Sequence, residues 1–321
     1  MSTKGTDGLT GREQEEAKLA PALAGVLAET KRQLAELEAE HDDLKLLYEA
    51  TIAHGEAVED QLAESNILLQ RTQARLEEEL NEASHYARSI LPEPRTEWPS
   101  TQWYFEPSTE LGGDSLGYHH IDPDHFAIYL IDVCGHGVGA ALLSATVINV
   151  LRAQAMSSVD FQDPSSVLAT LNDTFPMENQ NNMFFTIWYG VHDQRTGELR
   201  YSSGGHPPAI LLGVDHERSP DDRAVSIELL GNKGNVAIGT FPDLQFPEAT
   251  TTVKPGDQLL VYSDGAHQIP ITDNKMLSQK DLVDFASTDT SRGPTEVYQW
   301  VQAHNGDGPL PDDFSLVKVC F

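Results

Sequence analysis

His125-Phe-Ala-Ile-Tyr-Leu-Ile-Asp-Val-Cys-Gly-His-Gly137 is the stretch on which the reading of this chain turns. Phe126 to Ile131 is an unbroken apolar run, short, rich in aromatic and β-branched residues, and soon followed by two glycines. That combination reads as a buried strand delivered into a tight turn. Asp132 interrupts the run at its end. A carboxylate there is expensive inside a core unless it is paired or bound to a cation.

The same grammar recurs on the C-terminal side. Phe184-Phe-Thr-Ile-Trp-Tyr-Gly-Val191 reads as a strand, Asp193-Gln-Arg-Thr-Gly197 as a turn and Glu198-Leu-Arg-Tyr-Ser202 as its return. Residues 209–212, 258–263 and 314–321 add further apolar strands. Helical stretches are expected over 139–154, 164–175, 279–286 and 295–303. Hairpin strands with helices inserted between them point to a layered α+β domain, because the connections are too short for a mainly parallel sheet.

On the N-terminal side the grammar changes at Leu91-Pro92-Glu93-Pro94, where two prolines end a helix. Residues from about Arg12 to Ile90 are rich in Ala, Glu, Leu, Gln and Lys, all good helix formers. Leu27, Thr30, Leu34, Leu37, His41, Leu44, Tyr48 and Thr51 recur at alternating steps of three and four. After Gly55 the seam resumes with Val58, Leu62, Leu69, Leu76 and Leu80. Such a seam needs a partner helix, most simply the same helix of a second subunit in a parallel coiled coil. A helical hairpin turning near Gly55 is the alternative, since glycine costs a helix about 1 kcal/mol relative to alanine. The expected organisation is a disordered start (1–11), a helical coiled-coil segment for dimerisation and signalling (12–91) and one globular domain (92–321).

Composition narrows the partners. The net charge of −29 over 321 residues argues against a nucleic-acid backbone or an anionic membrane surface. Arg88, Arg95 and Arg152 are candidates for local positive charge, or solvated surface residues. No run of about 18 apolar residues appears and the start has no apolar secretory region, so neither a membrane span nor export is expected. Two cysteines, Cys134 and Cys320, make no disulfide framework and fit a reducing cytoplasm.

Three further places repeat the chemistry of Asp132. Asp114 follows Gly112-Gly113, Asp264 ends an apolar run and precedes Gly265, and Asp312-Asp313 precede the last strand. Taken singly, each aspartate fits a turn or cap. Together they form a set of hard oxygen donors suited to Mg²⁺ or Mn²⁺, and paired ions of this kind recur in phosphate-ester chemistry.

With these residues in view, the chain resembles the SpoIIE-type branch of the PPM/PP2C metal-dependent serine/threonine phosphatases, the group that includes RsbU-like enzymes. The resemblance rests on Gly112-Gly113-Asp114, Asp132-Val-Cys-Gly-His-Gly-Val138, Gly204-Gly-His-Pro-Pro208, Ser263-Asp-Gly265 and Asp312-Asp-Phe-Ser315, in that order. It covers about residues 85–321, including Ala87-Arg-Ser-Ile-Leu-Pro92. It implies a four-layer αββα sandwich of two antiparallel sheets flanked by helices, and two Mn²⁺ or Mg²⁺ ions. By motif position Asp132 bridges the ions, the Val133 carbonyl and Asp114 complete one site, and Asp264 and Asp312 complete the other. Asp313 is the neighbouring alternative to Asp312. The implied reaction is direct attack of a metal-activated water on phosphoserine or phosphothreonine. The implied substrate is a phosphorylated regulatory protein, such as an anti-sigma-factor antagonist, with an upstream partner signalling through the helix.

Two departures from the family pattern stand out. Gly117 occupies a position that is acidic in many relatives, and Gly265-Ala-His-Gln268 lacks a glutamate common there. They motivate a second expectation, a catalytically weak pseudophosphatase or coiled-coil scaffold. His136 is a candidate proton donor or a turn residue, His206 a loop-ordering residue, His119 and His120 strand surface, and Cys134 a small packed residue.

Overall fold

The computed structural model describes residues 11–109, 111–157, 159–214, 225–231, 236–272 and 275–321. Packing divides the chain between Leu76 and Glu77 into two units. Most of the expected disordered start, residues 1–11, lies outside the described residues; Gly11 already begins a helix.

That helix, α1 (Gly11–Ile90), is a single element of 80 residues. It runs unbroken through Gly55, so the hairpin alternative is not what forms. A Cβ at Gly55 would meet nothing within 4 Å. The seam residues Leu27, Leu34, Leu37, Leu44, Tyr48, Val58, Leu62, Leu69 and Leu76 are 48–67 % exposed in the isolated chain. Among the described residues no helix is long and apolar enough to cross a membrane.

The second unit contains the last turns of α1. Ile90 and Leu91, at the expected 91/92 junction, are buried in its cores. The elements that follow are β1 (Ser100–Glu106), β2 (Ser115–His120), β3 (His125–Val133), α2 (Val138–Arg152), α3 (Pro164–Thr174), β4 (Phe185–Asp193), β5 (Glu198–Gly204) and β6 (Ala209–Val214). Then come β7 (Val225–Leu230), β8 (Ala249–Thr252), β9 (Gln258–Tyr262), β10 (Pro270–Thr272), β11 (Lys275–Met276), α4 (Gln279–Thr288), α5 (Pro294–Asn305) and β12 (Phe314–Cys320). One antiparallel sheet has the order β1-β12-β9-β6-β7, the other β2-β3-β4-β5-β8, and β10 and β11 form a small hairpin.

Three apolar cores bind these layers. On β3, Phe126, Ile128 and Leu130 enter the core between the sheets, with Val261 and Val317 from the facing sheet. Ala127, Tyr129, Ile131 and Val133 enter the core beneath α2 and α3. Side chains alternate across a strand, so a strand covered on both faces must be apolar at every position. That is why the run from Phe126 to Ile131 shows no polar alternation. A third core packs α4 and α5 on the outer face of the other sheet through Leu282, Val297, Val301, Leu260 and Leu316. The result is the expected αββα order of layers.

Local chemistry sets the helix starts. Asp163 caps α3 by accepting from the amides of Ser165 and Ser166, with Pro164 in the first turn. Ser278 and Asp281 form a reciprocal capping box on α4. Arg152, in the last turn of α2, donates to the carbonyl of Ile90, the last residue of α1. Arg88 lies over the Phe105 ring and Arg95 over that of Phe126. The three arginines are thus engaged in joining elements.

Candidate functional site

Strand pairing brings the motif aspartates to one end of the sandwich. Ser115 pairs with Ile131, so the start of β2 lies beside the end of β3, and Asp114 and Asp132 become neighbours. Leu316 pairs with Tyr262, so the start of β12 lies beside the end of β9, bringing Asp312 and Asp313 next to Asp264. The Ser263 amide donates to the Ser315 carbonyl at 3.0 Å, and the Ser315 amide donates to Ser263 Oγ at 3.0 Å, extending that pairing to the aspartates. Asp132 continues the face of β3 that carries Phe126, Ile128 and Leu130 toward the opposite sheet.

The carboxylates influence one another strongly. Burial first, then repulsion by Asp264, Asp312 and Asp313, pushes Asp132 up to about 7. Asp114 is raised well above the usual carboxylate range by burial, then by Asp132 and Asp313, against the opposing pull of the Ser263 and Ser315 hydroxyls. Burial also raises Asp264, with Asp312 adding to it. At the rim, Asp312 is raised by burial as well, while exposed His136 works in the opposite direction.

These residues fit hard divalent cations. Asp114 Oδ2 is buried without a hydrogen-bond partner, which leaves an uncommitted oxygen donor among mutually repelling carboxylates. Among the described residues no three His, Cys, Asp or Glu side chains gather tightly enough to hold an ion by themselves. A donor set of this kind suits Mg²⁺ or Mn²⁺, which keep water in their coordination shells.

Glycines make the approach possible. A Cβ at Gly113 would lie 2.6 Å from the Val133 carbonyl oxygen and 2.9 Å from that of Gly135. Both atoms are backbone and cannot yield, so only glycine leaves the Val133 carbonyl open on this side.

Gly117 has a packing explanation. It pairs across the sheet with Tyr129, and a Cβ there would collide with the Tyr129 ring. The buried aromatic fills the space over the glycine, so a larger side chain at 117 and Tyr129 exclude each other. Gln268 is exposed, and its amide closes the turn onto the Asp264 carbonyl at 2.8 Å.

The remaining candidates occupy supporting positions. His206 is buried, its Nδ1 2.8 Å from Thr186 Oγ1, and burial holds its imidazole down at about 3. Thr186 pairs with Asp132 across β3 and β4, so His206 stands behind the site strand. Cys134 Sγ accepts from the Phe184 amide at 3.3 Å, in keeping with a packed residue. His119 contacts Tyr129 Oη at 3.3 Å and is half-buried, whereas His120 is exposed. Sequence reasoning missed Ser108, whose amide and hydroxyl both donate to Asp313 from 205 residues away. No motif marks it.

The chain matches the family described as Stage II sporulation protein E (SpoIIE) over residues 122–321. It is 28 % identical over 166 residues to the phosphoserine phosphatase RsbP of Bacillus subtilis, a match covering 50 % of this chain and 38 % of RsbP. It is 25 % identical over 246 residues to protein IcfG of Synechocystis, covering 67 % of this chain and 37 % of IcfG. The chain therefore aligns with well under half the length of either curated relative. In fold it is similar to the SiaA-PP2C domain of Pseudomonas aeruginosa, with a TM-score of 0.63 at 19 % identity, over 78 % of this chain and 98 % of that domain. With the family matched over more than half of its length and the PP2C fold shared, this chain belongs to the SpoIIE family.

Proposed function

We propose that this chain is a metal-dependent protein serine/threonine phosphatase that hydrolyses phosphoserine or phosphothreonine on a regulatory protein. The observation that carries this reading is the meeting of Asp114, Asp132, Asp264 and Asp312 at one end of the sandwich, with one buried carboxylate oxygen unpartnered. In this reading Asp132, Asp114 and the Val133 carbonyl would hold one Mn²⁺ or Mg²⁺ ion, and Asp132, Asp264 and Asp312 would hold a second. When bound, the ions supply Lewis-acid activation of water and neutralisation of the phosphoryl oxygens.

The chain's own residues supply position and electrostatics. Asp114 is buried and so fixes its donor in a low-dielectric wall. Asp264 and Asp312 lie nearer solvent, where a phosphoprotein side chain can reach. His136 is exposed beside Asp312, between Gly135 and Gly137 with φ of 89° and 91°, and is available to protonate a departing serine oxygen. Packing against Tyr129 accounts for one of the two departures behind the pseudophosphatase reading. Purified chain is expected to release inorganic phosphate from a phosphoserine-bearing regulator of the anti-sigma-factor-antagonist type with Mn²⁺, and none in excess EDTA. Equal release in both conditions would sink the metal-dependent reading.

We further infer that α1 pairs with α1 of a second copy and receives an upstream partner. The seam's two threonines are compatible with burial, because Thr30 and Thr51 donate to the carbonyls of Val26 and Leu47 at 2.9 and 2.8 Å. Leu34→Asp combined with Leu62→Asp places like charges in the seam and is expected to halve the mass seen by sedimentation equilibrium. An unchanged mass would remove the coiled-coil dimer.

A further inference from the structure

Asp313 has a role that its motif position does not reveal. Its carboxylate is buried, and both oxygens are already occupied by donors from one loop. Oδ1 accepts from the Ser108 amide at 2.8 Å and from Ser108 Oγ at 3.0 Å. Oδ2 accepts from the Gly113 amide at 2.6 Å, with the Asp114 amide at 3.4 Å. The residue's backbone carbonyl accepts from Ser263 Oγ at 3.2 Å, next to Asp264.

Two independent features show how closely the surroundings are fitted to this carboxylate. A Cβ at Gly112 would collide with the Asp313 carboxylate. A Cβ at Gly265 would collide with the Asp313 carbonyl. Gly112 and Gly265 are therefore glycine because Asp313 needs the space on both sides.

We propose that Asp313 is a positioning residue, a latch that fixes the peptide bearing Asp114 against the end of β12, and not a metal ligand. This rests on the reading of Asp114 and Asp312 as metal-holding carboxylates. One residue then registers the metal-facing segments of both sheets: its side chain holds Gly113 and Asp114, and its backbone holds Ser263. Asp is required because all of the partners that meet its carboxylate are donors. An asparagine would turn an amide N–H₂ toward at least one of them and leave a buried donor unsatisfied. The latch has an electrostatic cost, since Asp313 also repels Asp114 and Asp132. A cation among the carboxylates offsets that repulsion.

The test uses the full chain carrying Asp313→Ala, with Asp312→Ala for comparison. Hydrogen exchange at the amides of Ser108, Gly113 and Asp114 is read by NMR in EDTA, and Mn²⁺ binding by titration calorimetry. Asp313→Ala is expected to speed exchange at these amides by about tenfold or more, as loss of a charge-assisted hydrogen bond implies, while residues 126–131 stay protected. It is expected to weaken Mn²⁺ binding by roughly 10–100-fold, the usual effect of losing a partner that orients a ligand. Asp312→Ala should weaken Mn²⁺ binding without changing exchange at the three amides. If Asp313→Ala does not fold, Asp313→Asn keeps the shape and should show the same exchange pattern. Unchanged exchange in the Asp313 variants would overturn the latch. A wild-type chain that binds no Mn²⁺ would overturn the metal assignment on which the inference rests, and the exchange data separate that failure from failure of the latch itself.

Discussion

Asp132→Ala is expected to lower Mn²⁺-dependent phosphate release roughly a thousandfold, the rate equivalent of about 4 kcal/mol. Asp132 is the carboxylate that feels Asp264, Asp312 and Asp313 and that acts in turn on Asp114. It therefore stands electrostatically between the two halves of the set, where, on the proposed reading, one side chain would serve both ions. The same substitution should leave the metal-free protein at least as stable as wild type at pH 8. Asp132 titrates at about 7 in the fold, above its ordinary value of 3.8. A carboxyl with a raised folded pKa adds stability at low pH and loses it as the pH rises through that value. At pH 8 its removal relieves repulsion. Initial rates with Mn²⁺ and thermal unfolding in EDTA check the two halves separately. Activity within tenfold of wild type would remove Asp132 from the bridging position. Loss of activity accompanied by loss of folding would leave the rate effect without its chemical explanation.

Lowering the pH from 7 to 4.5 is expected to cost wild type about 2–3 kcal/mol more stability than it costs His206→Gln. His206 is 6 % exposed, and burial holds its imidazole at about 3 against an ordinary 6.5, outweighing the Tyr262 backbone. The unfolded chain therefore takes up a proton near pH 6.5 that the folded chain refuses until about pH 3. Stability tied to a depressed pKa is present above the unfolded value and is lost as the pH falls through this window. His119 and His192, both lowered to about 4 by burial, contribute in both proteins and cancel in the comparison. Urea unfolding at the two pH values, with EDTA throughout, gives the difference directly. Equal losses in the two proteins would show that His206 is protonated, or solvated, in the fold.

Much of the domain could be read before any coordinates. The apolar run before Asp132 is a strand because it is short, β-branched and closed by glycines, and β3 is that strand. Leu91-Pro92-Glu93-Pro94 ends a helix because proline lacks an amide donor, and α1 stops at Ile90. The order of the aspartate motifs carried the family resemblance. What could not be read is what lies opposite each residue. Gly117 looked like a missing acid until its pairing with Tyr129 showed a filled space. Gly55 looked like a break, yet one weak helix former inside a long run of strong ones does not interrupt α1.

Asp312 and Asp313 divide the two kinds of information most sharply. The sequence by itself determined that hard carboxylates sit at strand ends, that a helix with an apolar seam precedes them, and that the domain is α+β. These follow from local propensity and periodicity, which act between near neighbours in the chain. Only the tertiary structure decided that Asp313 turns to Ser108, Gly113 and Asp114 while Asp312 stays at the rim. Both residues precede β12, at a bend where no strand periodicity fixes which way a side chain turns. Which side held the partner loop was set by two sheets packing together, across about 200 residues that no local pattern connects.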